Sequence, residues 1–226
     1  RLAIGALDEE NSSTTESNKL ATVNEDTAVV VLTVLTARLE QLIQVVEWAL
    51  PRIGILERGD ASPLVEQSIN TRLKLIAVAL NQLVLADISP GPNSELILKL
   101  AISFYTTMGR VAKKQKSVLP SFRTLVRTTA GLTKNLSTFI AHLDDKQIHE
   151  KGFKRKKGDK EVAPRMDRCA RSIPQLTYAI EQYNQAILGV SKRTKEDLSF
   201  GSKLGTTRDF RIKADKVNEA LEGKRS

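Results

Sequence analysis

The only imidazoles in these 226 residues are His142 and His149, and the only thiol is Cys169. Paired with either histidine, Cys169 would have the two parts of a thiolate nucleophile, but a lone cysteine at helical spacing reads as a small buried hydrophobe. His142, Asp145 and His149 would supply three metal ligands, yet the stretch from Leu143 to Gln147 matches no established metal spacing. Neither G-x-x-x-x-G-K-S/T nor G-x-G-x-x-G occurs, so the common phosphate cradles are missing. Carboxylates are scattered, with no pair on a shared apolar face to act as tuned acid and base. The reading is a protein that is not an enzyme and uses no cofactor, metal or small-molecule substrate.

Cations offer a different chemistry. Residues 1 to 100 hold 8 Lys and Arg against 13 Asp and Glu, whereas residues 101 to 226 hold 27 against 13. An acidic front is thus joined to a strongly basic rear, which should meet a polyanion. Several basic segments are candidates. Lys154, Arg155, Lys156 and Lys157 form a run that reads first as a solvated loop and otherwise as a nuclear localisation signal or a nucleic-acid contact. Arg110, Lys113, Lys114 and Lys116 close one helical stretch, where cations also complement the helix dipole. Arg123 and Arg127, spaced four apart, share a helix face. Lys192, Arg193, Lys195, Lys203, Arg208, Arg211 and Lys213 complete the set. Folded into one strip, they would neutralise phosphates and release counterions, giving steeply salt-dependent, sequence-independent DNA affinity. No segment combines basic and base-reading residues as a helix-turn-helix does, so direct readout is not expected.

The elements that must carry these groups read as helical. With 41% hydrophobic and 4% aromatic residues, the chain can bury a core but lacks the composition of a sandwich or barrel. A single cysteine excludes an internal disulfide and suits a reducing compartment. Apolar runs such as Ala28 to Leu32 are far shorter than the roughly 20 residues that span a bilayer, so no membrane segment is expected. The start at Arg1, without an initiator Met, reads as a piece of a longer protein. Residues 1–26 read as a polar linker. Residues 27–143 carry four long helices, on the stripes Leu32 to Leu50, Ile69 to Leu83, Leu96 to Val111 and Phe122 to Leu143. Pro51 should end or kink the first, and Pro90 with Pro92 should break the chain after the second. Residues 144–160 read as a basic flexible loop. Residues 161–226 should hold a helix interrupted at Pro174, a glycine-containing loop, the non-periodic strip Thr206 to Lys213, and a short final helix from Ala214 to Leu221. Trp48, Phe104, Tyr105, Phe122, Phe139, Tyr178 and Tyr183 are expected in the core, and Phe210 as a turn anchor that sets Arg208 and Arg211. Short connections make consecutive helices antiparallel, so the fold class is all-α, built of antiparallel helical pairs. No fixed sequence period is visible.

The stretch IPQLTYAIEQYNQAILGVSKRTKEDL, followed by KLGTTRDFRIK, resembles the C-terminal segment of the Fanconi anaemia group I family. That family shows an IP-x-L-x-x-AIEQY helix, a basic S-K-K/R-S/T-K turn and an S/T-S/T-R-D-F-K/R-I-K strip in the same order. The EDTAVVVLTVL and FYTTMGRVAKK stretches are more weakly similar. The resemblance implies the C-terminal part of an α-solenoid in a nuclear, non-catalytic DNA clamp. The clamp would act on duplex or branched DNA with the paralogous Fanconi anaemia group D2 protein, in interstrand crosslink repair. It places the ubiquitin acceptor lysine and the phosphorylation cluster upstream of this chain, and leaves only Leu221 to Arg225 to represent the acidic and basic ends of the family. Phosphate contacts are expected from the Lys192 to Lys195 turn and from Arg208, Arg211 and Lys213. The alternative is a helical interaction scaffold whose basic face docks on an acidic protein.

Overall fold

Leu32, Leu35, Leu39, Leu42 and Val46 recur at steps of three and four and are all buried, so they define the inner face of helix α1 (Glu25–Ile53). The structure, a computed structural model, describes residues 22–23, 25–53, 61–85, 87–88, 90–115, 118–143, 162–198 and 204–223. Within them lie five further helices: α2 (Ala61–Val84), α3 (Ser94–Lys114), α4 (Pro120–Leu143), α5 (Val162–Thr194) and α6 (Leu204–Gly223). Two-residue strands precede α1 and α3, namely β1 (Thr22–Val23) and β2 (Asp87–Ile88), and pair in parallel.

The helices form two layers, α1–α3–α5 and α2–α4–α6, and α1 with α2 and α5 with α6 also pack as hairpins. Sequence offsets across the contacts reveal the direction of each neighbour. Between α1 and α3 the hydrogen bonds join residues 67 to 70 apart at Asp26–Asn93, Glu40–Thr107 and Glu40–Arg110. Between α2 and α4 they join residues 51 or 52 apart at Asn70–Ser121 and Leu83–Asn135. A constant offset along two helices means that they run parallel. Each layer therefore repeats by translation, and the whole is an all-α solenoid of stacked hairpins.

Neighbours within a layer satisfy each other's helix ends, whose first N–H and last C=O groups lack intrahelical partners. Glu25, at the start of α1, accepts from the Asn93 N–H at 2.8 Å and the Ser94 hydroxyl at 2.8 Å, where α3 begins. The α3 N-terminus favours an anion there. A side chain on Gly91 would stand 2.6 Å from the Glu25 carboxylate and would have to displace it from these hydrogen bonds. On the other layer, Asn70 accepts from the Ser121 N–H at 3.0 Å, while the Asn135 amide donates to the Leu83 and Val84 carbonyls at 2.7 and 3.0 Å. A methyl on Gly131 would collide with Val84, so α2 and α4 approach closely only because that residue is small.

The interlayer core is aromatic and threonine-rich. Phe104, Phe122 and Phe139 are fully buried, and Tyr105 stacks edge-on against Phe104 and Tyr183 at centroid distances of 5.5 and 5.6 Å. Tyr105 Oη bonds the Thr133 hydroxyl at 2.7 Å, tying α3 to α4. Thr129 and Thr133 can be buried because each donates to the carbonyl four residues earlier. The Tyr183 hydroxyl lies toward Thr129 but makes no hydrogen bond of proper length and angle. Burial raises the ionisation range of both tyrosines well above its usual position.

Several boundaries differ from the sequence reading. Pro51 lies inside the last turns of α1, which runs to Ile53. Leu96 is exposed at 44%, and its neighbours Ile97 and Leu98 take the inner face of α3 instead. Tyr178 is exposed at 63%, on the outer side of α5. Pro174 does not interrupt α5: it forfeits one backbone bond, but buried Ile173, Leu176 and Ile180 hold the helix together across it. The strip from Thr206 to Lys213 is helical, because Phe210, Ala214 and Val217 form a buried stripe that starts the last helix at Leu204. Phe210 is accordingly a core residue of α6 and not a turn anchor. The loop at 144–160, and with it Lys154 to Lys157, lies outside the described residues, as do residues 1–21 and the Trp48 side chain.

By composition α1 is long and apolar enough over Glu25–Glu47 to cross a bilayer, with mean hydropathy 1.7. Its leucine stripe is buried against α2 and α3, while Glu40 pairs with Arg110. That is the pattern of a solenoid core helix.

Two outcomes test this packing. Tyr105→Phe should cost about 1 kcal/mol in urea unfolding, whereas Tyr183→Phe, which removes a hydroxyl without a proper bond, should be neutral or stabilising. Glu25 has its ionisation raised above the ordinary carboxylate value of 4.5, chiefly by burial, against the opposing hydrogen bonds from Asn93 and Ser94. A raised pKa means that the folded state binds the proton more tightly. The stability this proton linkage contributes is full below pH 4.5 and is lost as pH rises through the folded value. Melting curves from acid to neutral pH should show that fall, and Glu25→Gln should flatten it.

Candidate nucleic-acid interface

α5 ends at Thr194 and turns at Lys195, which takes a left-handed φ of 56°. The turn is fixed from below: Leu198 is fully buried and donates its N–H to the Ser191 hydroxyl at 3.2 Å. Lys192, Arg193 and Lys195 are therefore displayed on the exposed side of a rigid helix end. Arg193 reaches the Gln115 carbonyl at 3.5 Å, the residue that caps the end of α3. Arg123, in the first turns of α4, forms an ion pair with Glu196 immediately after Lys195. Three helix termini thus meet along one edge of the solenoid. That edge gathers Lys113, Lys114, Arg123, Lys192, Arg193 and Lys195, with Arg127 one turn further along α4.

The α1 carboxylates neutralise part of this edge. Glu40 holds Arg110 at 3.0 Å through both oxygens, and Glu47 holds Lys114 at 3.4 Å. The acidic front of the sequence thus lies against the first cations of the basic rear. Towards α5 that compensation fades: Lys192 and Lys195 have no ion-pair partner among the described residues.

α6 carries a separate group. Arg211 lies 3.7 Å from Glu181 and 4.0 Å from Asp215, so it is engaged at the middle of α5 and not at its tip. At 1.5 Å per residue, Glu181 is about 20 Å along the axis from Lys195. Lys213 is exposed on α6, one turn from the exposed Lys216, which was not among the expected contacts. Arg208 occupies a helical position in α6, but its side chain and Lys203 are outside the described residues. Arg123, Arg127 and Lys192 to Lys195 thus stand on α4 and at the tip of α5, and Arg211 and Lys213 on α6, which packs against both helices.

The remaining candidates fall elsewhere. Cys169 is buried in α5 and His142 is exposed at the end of α4, while His149 and Asp145 lie outside the described residues.

A family model, FANCI solenoid 4, matches residues 1–219. The chain belongs to that family. Among curated proteins, this FANCI-family chain is 25% identical over 234 residues to the Fanconi anemia group I protein homolog of Mus musculus, covering 91% of this chain and 18% of the mouse protein. It is 24% identical over 248 residues to the Fanconi anemia group I protein of Gallus gallus, covering 97% of this chain and 18% of that protein. The chain thus spans less than a fifth of the length of these relatives. No solved structure matches it.

Glu196→Gln tests whether the Arg123 pair tempers the edge. An exposed pair contributes at most about 1 kcal/mol, so stability should barely change. Elution from a heparin column should move to higher salt; unchanged elution would place Arg123 outside the attractive field.

Proposed function

We propose that this chain is a non-catalytic DNA-holding segment of a nuclear scaffold for interstrand crosslink repair. In this reading it works beside the paralogous group D2 protein as one part of a clamp on duplex or branched DNA. Membership of the FANCI solenoid 4 family supports the repair scaffold. One observation carries the DNA contact. The ends of α3 and α5 and the start of α4 converge on a single rigid edge, where Lys192 and Lys195 have no ion-pair partner among the described residues. Cations held at helix ends lose little backbone freedom when they meet phosphates, the charges that position a protein on nucleic acid. Lys192, Arg193 and Lys195, with Arg123 and Arg127, make the principal contact. Arg208, Arg211 and Lys213, with Lys203 in the connecting segment, make a second one, weakened by the engagement of Arg211 with Glu181 and Asp215. The Lys154 to Lys157 run serves nuclear import or a further contact.

The double variant Lys192→Glu, Lys195→Glu should bind duplex DNA about tenfold or more weakly in fluorescence anisotropy. The slope of log affinity against log salt should shrink by nearly 2, at about 0.9 for each phosphate that is no longer neutralised. Far-ultraviolet helicity should be unchanged, because both side chains are exposed. An unaltered affinity and slope would assign the basic edge to an acidic protein partner instead.

A further inference from the structure

Between α3 and α5, in the α1–α3–α5 layer, lies a groove of about 550 Å³. Its floor is apolar: Ile102, Tyr105 and Gly109 on one side, Ala179 and Tyr183 on the other. Gly109 leaves the floor open, since it offers no side chain where the two helices are close. Tyr178 stands beside it with 63% of its surface exposed, although other aromatics of the α3–α5 contact are buried. At the end towards the α3 C-terminus are Arg110 and Lys113, and no carboxylate lines the groove. Arg110 already holds Glu40, whereas Lys113 has no ion-pair partner among the described residues.

We propose that this groove receives a short segment of a protein partner in which one or two large apolar side chains are followed by a carboxylate. Apolar side chains seated on the floor would cover Tyr178 and gain the burial it lacks in the isolated chain. The carboxylate then meets Lys113, and no acidic side chain lines the groove itself. A nucleic-acid strand fits less well. Phosphates need several available cations, and the two present are one engaged arginine and one lysine. The floor matches the apolar-anchor mode of peptide recognition. This inference does not rest on the DNA reading, which is carried by Lys192 and Lys195; Lys113 stands where the groove meets that edge.

The test uses the 226-residue chain and an array of fluorescein-labelled peptides in which one or two leucines or a phenylalanine precede two glutamates at varied spacing. At least one peptide should bind saturably in fluorescence anisotropy. Exchanging its apolar residues for glycine should weaken it about tenfold, and exchanging its glutamates for glutamine about fivefold. Tyr178→Ala and Lys113→Glu should each weaken it about fivefold or more while leaving the melting temperature unchanged, since both side chains are exposed. Binding by no peptide in the array, or binding indifferent to both variants, would overturn the proposal. Displacement by a single-stranded oligonucleotide that is itself sensitive to Tyr178→Ala would overturn it too, and would make the groove a nucleic-acid contact.

Discussion

Every helix end in this solenoid poses the same demand: backbone N–H and C=O groups with no partner inside the helix must find one elsewhere or stay wet. At four of the described ends the neighbour in the same layer meets it. Glu25 serves the start of α3, Asn70 the start of α4, Asn135 the end of α2, and Arg193 reaches the end of α3. Because each of these side chains reaches a terminus of the adjacent repeat, it helps to fix the axial register between helices whose other contacts are largely apolar. The parallel β1–β2 ladder adds the same constraint at the head of the first two repeats.

Register, once fixed, decides where the charges go. Helices that run parallel at a constant offset bring their like ends to a common edge, and the last turns of α3 and α5 are rich in Lys and Arg. Cations there complement the helix dipoles, so the edge is compatible with helix stability and with polyanion attraction. Its strength is graded along the stack. Glu40 and Glu47 on α1 answer Arg110 and Lys114 on α3, while α5 has no such acidic neighbour helix on its far side among the described residues. Charge asymmetry in the sequence becomes a gradient of neutralisation across the layer.

Much of this was readable from spacing alone. The stripes Leu32 to Val46, Ile69 to Leu83 and Phe122 to Leu143 are buried as their periods require, and the family resemblance at Ile173 to Lys213 agrees with the family match. What spacing concealed was competition between local and tertiary terms. Pro174 is a helix breaker by its own chemistry, yet flanking residues packed on α3 outweigh the one missing bond. Glycines at 201 and 205 and threonines at 206 and 207 obscured a helix whose stripe begins only at Phe210. Tyr178 followed the aromatic trend of its neighbours, but its angular position turns it outward. The convergence of Arg123 with Lys192 to Lys195 had no signal in sequence, since it depends on which helices stand side by side.

Lys195 carries a consequence of its own. A non-glycine residue at φ 56° bears roughly 1 kcal/mol of backbone strain that glycine would relieve. Backbone economy and surface chemistry thus make opposing demands at a single position, and the chain holds to the chemistry. The tip of α5 is a place where a small, steady cost in fold stability is set against the presence of an ammonium group. A single change to glycine there would relax the backbone and remove the charge together.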